Sequence, residues 1–343
     1  MKAIALTRYL PIDDPESLVD VDLEKPVPKG RDLLVDIQAI AVNPVDAKVR
    51  APKERVEAAP RVLGWDAAGI VLEIGPEVTL FQPGDAVFYA GDITRPGCNS
   101  QMQLVDERIV GRKPSSLDFA QAAALPLTAI TAYEALFERL GLAPDGEKRR
   151  PSLLIVGGAG GVGSIAIQLA KIAKLNVVAT ASRPESVRWV TELGADHAVN
   201  HREPLRPQLE AIGLRHLDYI ALFNDTDGHW DAATDLIRPQ GTIVTIVENK
   251  GPLRQDVMKA KSAKHAWEFM FTRSMFHTHD MDQQHRLLNQ IAEWVDQGLL
   301  RSTVNRVISP ISADNLRAAH RLIETGRSIG KTVLEGWETA LRQ

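Results

Sequence analysis

The stretch Leu153-Leu154-Ile155-Val156-Gly157-Gly158-Ala159-Gly160-Gly161-Val162-Gly163-Ser164 decides the fold. Four apolar residues read as a buried strand, and the five glycines among the next seven residues read as a turn. From Ser164 to Lys174 the apolar residues Ile165, Ile167, Leu169, Ile172 and Ala173 recur with helical spacing. The alternation then continues outward. Val177–Ala179, His197–Val199, Asp218–Leu222 and Thr242–Ile246 read as strands, separated by helices over Pro184–Leu193, Pro204–Ile212 and Trp230–Ile237. Strand and helix in strict alternation predict an α/β domain with a doubly wound parallel sheet and right-handed crossovers.

Gly158, Gly160 and Gly163 have the spacing of a dinucleotide-binding turn. The first glycine permits the tight strand-to-helix turn, the second lets a pyrophosphate approach the backbone, and the third lets helix and strand pack closely. A pyrophosphate there would rest on free N–H groups at a helix N-terminus. A flexible glycine-rich connector is the alternative, and the flanking strand and helix argue against it. Sites for NAD usually place Asp or Glu at the end of the second strand, but this chain has Thr180-Ala181-Ser182-Arg183. Ser182 and Arg183 suit a ribose 2′-phosphate, which favours NADP; a solvated Arg opening a helix before Pro184 is the alternative.

The rest of the chain has a different texture. Its first 120 or so residues read as short strands between turns, with few convincing helices: Val35–Val42, Gly69–Ile74 and Ala86–Tyr89 are β-forming, and Gly75-Pro76 and Pro83-Gly84-Asp85 are turns. Helical text runs from Ala120 to Leu142, and Ala143–Arg150 is a polar loop. Gln283–Gln297 and Ala313–Glu324 read as helices, Val304–Ile308 and Thr332–Leu334 as strands. We expect an irregular β-rich domain over residues 1–125, completed by 276–343, around the α/β domain at 126–275.

Composition narrows the function classes. The 343 residues carry 40 Lys and Arg against 44 Asp and Glu, a net charge of −4, so no strong basic field exists for nucleic acid. The apolar start Ala3–Leu6 is too short for a secretory signal, and the apolar window Phe119–Phe137 is broken by polar residues and Pro126, so no membrane passage is expected. A single cysteine, Cys98, suits a reducing compartment, and the expected location is the cytoplasm. No candidate base lies near Cys98 in sequence, and it reads as a bystander thiol. None of the nine histidines precedes His197, and His277, His279 and His285 match no zinc spacing, so no metal site is expected.

Taken in order, several motifs resemble the medium-chain dehydrogenase/reductase superfamily, in its zinc-free quinone oxidoreductase (zeta-crystallin-like) branch. They are Ala41-Val42-Asn43-Pro44-Val45-Asp46, Gly64-Trp65-Asp66-Ala67-Ala68-Gly69-Ile70-Val71 with Gly75, Pro83-Gly84-Asp85-Ala86-Val87, Ala124-Leu125-Pro126-Leu127-Thr128-Ala129, the glycine turn, and Gly330-Lys331-Thr332-Val333-Leu334. Trp267-Glu268-Phe269-Met270-Phe271-Thr272-Arg273-Ser274-Met275 also resembles a subgroup often named zinc-type alcohol dehydrogenase-like. That name fits poorly: zinc-dependent relatives carry Cys where this chain has Asn43 and His-Glu where it has Trp65-Asp66, and their four-cysteine lobe has no counterpart.

The resemblance implies a Rossmann domain beside a GroES-like catalytic domain. It also implies Asn43 and Thr128 near the nicotinamide ribose or ring, Gly160, Gly161 and Val162 on the pyrophosphate, and Ser182, Arg183 and His201 around the adenosine phosphate. Phe223, Asn224 and Ile246 would follow strands near the nicotinamide. His201 departs from the pattern, because quinone reductases usually show Tyr after an Ile-Asn pair and here the run is Val199-Asn200-His201. Packing is the alternative for Phe223 and Ile246, and a turn or cap for Asn43; Asp46, Asp66 and Asp85 read as structural.

The implied activity is an NADPH-dependent, zinc-independent reduction of a quinone or an α,β-unsaturated carbonyl compound, with Asn43, Trp65 and Tyr89 along the acceptor cleft. An NADPH-binding sensor with little turnover and a zinc alcohol dehydrogenase are the rival readings. Relatives pair through edge strands of the cofactor sheet, so a homodimer is expected, and Gly251–Met275 reads as a contact, a cleft cover or core.

Overall fold

The computed structural model describes residues 1–146 and 150–337; residues 147–149 of the expected polar loop lie outside the described residues. The chain divides into two compact units, Met1–Leu127 with Phe271–Gln343, and Thr128–Met270. The sequence-based boundaries fall at 125/126 and 275/276.

The first unit opens with β1 (Lys2–Tyr9), β2 (Val19–Asp22), β3 (Asp32–Ala41), α1 (Pro44–Arg50), β4 (Lys53–Val62), β5 (Ala67–Ile74), β6 (Ala86–Tyr89), β7 (Met102–Asp106), β8 (Val110–Arg112) and α2 (Phe119–Ala123). β1 and β4 carry no clear period in the sequence. β4 is exposed along most of its length, so its pairing with β1, and not burial, makes it a strand. α1 is also unannounced. Pro44 supplies its first-turn backbone angle, and the Asp46 carboxylate accepts a hydrogen bond from the Asn43 N–H at 2.6 Å.

The second unit begins within α3 (Pro126–Tyr133), which runs on into a π-helical turn, Glu134–Arg139. There follow β9 (Ser152–Val156), α4 (Gly161–Ile172), β10 (Asn176–Thr180), α5 (Pro184–Glu192), β11 (His197–Val199), α6 (Leu205–Ala211), β12 (Leu217–Leu222), α7 (Thr226–Leu236), β13 (Ile237–Thr245) and β14 (Lys264–Trp267). The sheet order is β11-β10-β9-β12-β13-β14, with every pairing parallel. The order reverses direction between β9 and β12, where a doubly wound sheet opens a crevice at its C-terminal edge. β9 is buried along its whole length, as a central parallel strand must be. Two readings need correction. α4 starts at Gly161, inside the expected turn, and a sixth strand, β14, lies where an aromatic cover segment was one expectation; in that segment Trp267 and Phe269 are exposed while Met270 and Phe271 are buried.

The chain then returns to the first unit as α8 (Thr272–Met275), α9 (Gln283–Asp296), β15 (Val304–Ile308), α10 (Ala313–Glu324) and β16 (Lys331–Glu335). β16 pairs antiparallel with β3, which completes a sheet ordered β15-β16-β3-β5-β6-β8, with β7 also on β3. A smaller sheet has the order β2-β1-β4. Arg50, buried at the end of α1, donates to Leu10 O at 2.7 Å and pairs with Glu324 of α10, fixing the helix that Asn43 begins. No helix among the described residues is long and apolar enough to cross a membrane.

In the second unit one buried acid is out of the ordinary. Glu268 follows β14 directly, and its Oε2 lies 2.8 Å from Arg139 Nε. Burial pushes its carboxyl well above the usual carboxylate range, Glu134 pushes in the same direction, and Arg139 pulls back. The folded state therefore holds a proton that the unfolded chain gives up near its ordinary value, and stability falls as pH rises between the two values. Glu268→Gln, which needs no proton, should flatten that decline. Urea midpoints between about pH 6 and pH 9 measure it, with linkage allowing at most about 1.4 kcal/mol per pH unit for one group. Parallel curves for the two proteins would show that Glu268 does not titrate in this range.

Candidate functional site

The C-terminal ends of the parallel strands in the second unit bring most of the expected cofactor residues together. The Gly157 N–H donates to Thr180 Oγ1 at 3.0 Å, tying the turn after β9 to the end of β10. Gly157 has a φ of +84°, a conformation that glycine adopts without strain. A Cβ on Gly163 would lie 2.3 Å from Gly157 O, and one on Gly158 would lie 2.8 Å from the Ala179 Cβ, so these glycines close the strand–helix contact. Gly160 is different: a Cβ there would meet only Gly157 O, at 3.4 Å. Gly160 is also the N-cap of α4 and supplies no side-chain cap, which leaves the N–H groups of the first turn, Gly161 and Val162 among them, for an anion. The cradle fits a pyrophosphate.

Beside the turn, Ser182 and Arg183 leave β10 half-buried. Arg183 caps α5 and keeps its Nε 3.2 Å from the exposed Glu185 carboxylate, a partner that a phosphate can displace at small cost. β10 and β11 are in register with Thr180 opposite Val199, so the chain leading to His201 leaves the same sheet edge as the chain leading to Arg183. Phe223 N donates to Val156 O at 3.1 Å and Ile246 N to Leu222 O at 3.3 Å, extending the ladder beyond β12 and β13. Phe223 is buried, Asn224 exposed and Ile246 half-buried. Thr128 is buried in the first turn of α3.

The first unit holds the residues expected along the acceptor cleft, and of their side chains that of Asn43 lies in a buried polar knot. Asn43 Nδ2 donates to Asp66 Oδ2 at 2.9 Å and to Trp65 O at 3.2 Å. Lys331 Nζ lies 2.8 Å from Asp66 Oδ2, donates to Val42 O at 3.1 Å, and bonds Asn43 Oδ1. Asp66 Oδ1 accepts from the Leu127 N–H at 2.8 Å, and the Cys98 thiol donates to Asp66 O at 3.3 Å. Burial pushes Asp46 up to about 7, and Asp66 is raised too, with Lys331 opposing both shifts. Burial also raises the Cys98 thiol, so it is no thiolate nucleophile.

Trp65 is buried, its Nε1 donates to Asp92 O at 3.3 Å, and its ring meets Phe271 edge-on at 6.1 Å. Tyr89 is buried with no hydrogen-bond partner for its hydroxyl among the described residues, and burial raises it further above the usual tyrosine value. Asp85 accepts from the Gln82 N–H at 3.0 Å in its turn and pairs with Arg112. Sequence reasoning missed Lys331 as a partner of Asn43, because 288 positions separate them and only the β16–β3 pairing brings them together.

No group of three or more His, Cys, Asp or Glu side chains placed to hold a metal ion occurs among the described residues. His285 is committed to Val110 O at 2.6 Å and to Asn289 at 3.0 Å.

Residues 29–124 match the alcohol dehydrogenase GroES-like domain, and residues 193–334 match the zinc-binding dehydrogenase family. Over 336 residues the chain is 41% identical to a zinc-type alcohol dehydrogenase-like protein of Staphylococcus epidermidis, covering 97% of this chain and 99% of that protein. The chain belongs to the medium-chain dehydrogenase/reductase superfamily, in its zeta-crystallin-like branch. It is an oxidoreductase. A crystal structure of a Rhizobium etli protein assigned to the zinc-dependent alcohol dehydrogenases superposes with a TM-score of 0.94 at 49% identity, covering 99% of both chains. The 2-methylene-furan-3-one reductase of Solanum lycopersicum is 30% identical over 97% of this chain and 79% of its own length. Escherichia coli quinone oxidoreductase, solved with NADPH, shares the fold with a TM-score of 0.81 at 23% identity, covering 98% of this chain and 100% of its own.

In this medium-chain oxidoreductase two glycines should respond in opposite ways to Ala. Gly160→Ala should fold normally and weaken nicotinamide dinucleotide binding about tenfold or more, whereas Gly163→Ala should lose about 1–3 kcal/mol of stability through its clash with Gly157 O. Thermal melts and cofactor titration separate the two effects. Lys331→Met leaves Asp66 buried without its cation and should cost about 3–5 kcal/mol in urea unfolding; the double variant Asp66→Asn/Lys331→Met should recover part of that loss.

Proposed function

We propose that the chain is an NADPH-dependent, zinc-independent reductase of quinones or α,β-unsaturated carbonyl compounds. The observation that carries this reading is the end of β10, where Ser182 and Arg183 stand in place of the carboxylate that would receive an unphosphorylated ribose. A bound nicotinamide dinucleotide would supply the hydride. The α4 N-terminus holds the pyrophosphate, Arg183 and Ser182 hold the ribose phosphate with His201 beside them, and Thr128, Phe223, Asn224 and Ile246 belong to the nicotinamide half.

On the acceptor side the reading assigns Asn43, Trp65 and Tyr89 no proton transfer. The Asn43 amide is committed to Asp66 and Lys331, the Trp65 indole to Asp92 O, and the Tyr89 hydroxyl keeps its proton at neutral pH. An enone or quinone suits such a site. The charge left on its oxygen after reduction is delocalised and takes a proton from water, whereas a simple ketone would call for an electrophile at a localised alkoxide. The tomato relative, named as a reductase of a conjugated exocyclic enone, supports that acceptor class. In the same reading the protein is a homodimer joined along β14, the edge strand beside which Trp267 and Phe269 are exposed.

The test is a titration of the purified protein with NADPH and NADH, followed by a panel of quinones and enones and by metal analysis. Arg183→Ala should weaken NADPH binding about tenfold to a hundredfold and leave NADH unchanged, as expected for one charge-assisted phosphate contact. Equal affinity for NADH and NADPH would overturn the cofactor reading. Failure to reduce any acceptor would overturn the reductase reading, a tightly held zinc the metal-free one, and sedimentation as a monomer the dimer.

A further inference from the structure

Two imidazoles stand together at the C-terminal edge of the second unit's sheet. His201 lies exposed just beyond β11, His229 lies at the start of α7, and their ring centroids are 6.3 Å apart with planes at 82°. Neither ring has a hydrogen-bond partner among the described residues. Asp225, the N-cap of α7, acts on His229 while its carboxylate caps Gly228 N–H at 3.2 Å, and Arg202 acts on His201. Glu203, the remaining acid of the β11 turn, accepts from Asn200 Nδ2 at 3.2 Å. The Ala181 N–H donates to Val199 O at 2.9 Å, which holds the chain leaving β10 through Arg183 against the chain leaving β11 through His201. Burial is the main cause that lowers both imidazoles below their ordinary value. His201 is lowered further by His229 and Arg202, and Asp225 partly offsets the effect on His229. Both shifts favour the uncharged form of the pair before a ligand arrives.

We infer that His201 and His229 form a proton-accepting pair that charges when a ribose 2′-phosphate docks beside Arg183, so that preference for the phosphorylated dinucleotide strengthens toward acid pH. The inference rests on the NADPH reading. A neutral imidazole offers one N–H donor and an imidazolium offers two with a charge, and a phosphate dianion supplies a partner that neither ring has among the described residues. The proton comes from solvent, and a cofactor without the 2′-phosphate gives it no reason to bind.

Calorimetric titrations with NADP+ and NAD+, both stable to acid, test the pair at about pH 6 and about pH 8.5. They are run in buffers of different ionisation enthalpy on the unaltered protein, His229→Gln, His201→Gln and Arg183→Ala. Expected is a loss of about tenfold in NADP+ affinity for His229→Gln at the acid pH, little loss at the alkaline pH, and none toward NAD+ at either. Proton uptake on NADP+ binding should also be smaller in His229→Gln. The 2′-phosphate's own titration is common to both proteins and cancels in that difference. His201→Gln, on an exposed turn, should give the same pattern and covers the case in which the α7 variant does not fold. Equal losses at both pH values, or unchanged proton uptake, would overturn the inference while leaving the Arg183 reading intact. If NAD+ binds as well as NADP+ and Arg183→Ala costs nothing, the cofactor reading fails and this inference with it.

Discussion

The second unit turns on a backbone contact that only glycine allows. With Gly163 and Gly158 lacking side chains, α4 can start against the end of β9, where a Cβ on Gly163 would stand 2.3 Å from Gly157 O. That contact sets where the helix N-terminus points. Because Gly160 caps the helix without a side chain, the first-turn N–H groups are left for an anion, and the strand ends on either side supply the rest of the surface. Arg183, His201, Phe223 and Ile246 reach one edge because their strands are parallel and follow the order β11-β10-β9-β12-β13. Parallel pairing puts every C-terminal end on the same side.

This explains what could be read from the sequence. β9, β10 and β12 are built on apolar runs, Leu153–Val156, Val177–Ala179 and Ile220–Leu222, because both faces are covered, and helices of regular period separate them, so the signal is local and strong. β14 escaped. Lys264-His265-Ala266-Trp267 is exposed or half-buried at every position, as an edge strand can be, and among the described residues its one strand neighbour is β13. β4 escaped for the same reason, being made by its partner and not by its own pattern. α1 was hidden because its signals, Pro44 at the first position and Asp46 returning to Asn43 N–H, look in one dimension like any turn.

The site divides along the same line. Glycine spacing and the missing carboxylate after β10 are local chemistry, legible without coordinates. Lys331 is not: nothing in Gly330-Lys331-Thr332 says that its ammonium will be buried 2.8 Å from a carboxylate 265 positions earlier. His229 is hidden likewise, since its relation to His201 exists only once α7 has folded over the sheet edge. Charged and titratable groups mean little in sequence until their partners are known, whereas glycines and apolar periods mean much.

That distinction bears on the zinc in the names of the relatives. Whole-chain similarity carries the fold, but a metal is held by individual donors, and here the positions in question are Asn43, Trp65 and Asp66. An amide and an indole are poor donors for zinc. The one carboxylate among them already has a cation, because Lys331 Nζ contacts Asp66, Asn43 Oδ1 and Val42 O together. A divalent ion entering this knot would have to displace the buried ammonium, breaking its bonds to Asp66, Asn43 and Val42 O, or sit against it and leave like charges together in a dry interior. The burial that raises Asp46 and Asp66 shows how far the knot already stands from the polar, solvated surroundings in which a second cation could be tolerated. In the zinc-independent reading the protein has made its own fixed positive charge part of the β16–β3 pairing, so that the electrostatics of this region are set by folding alone.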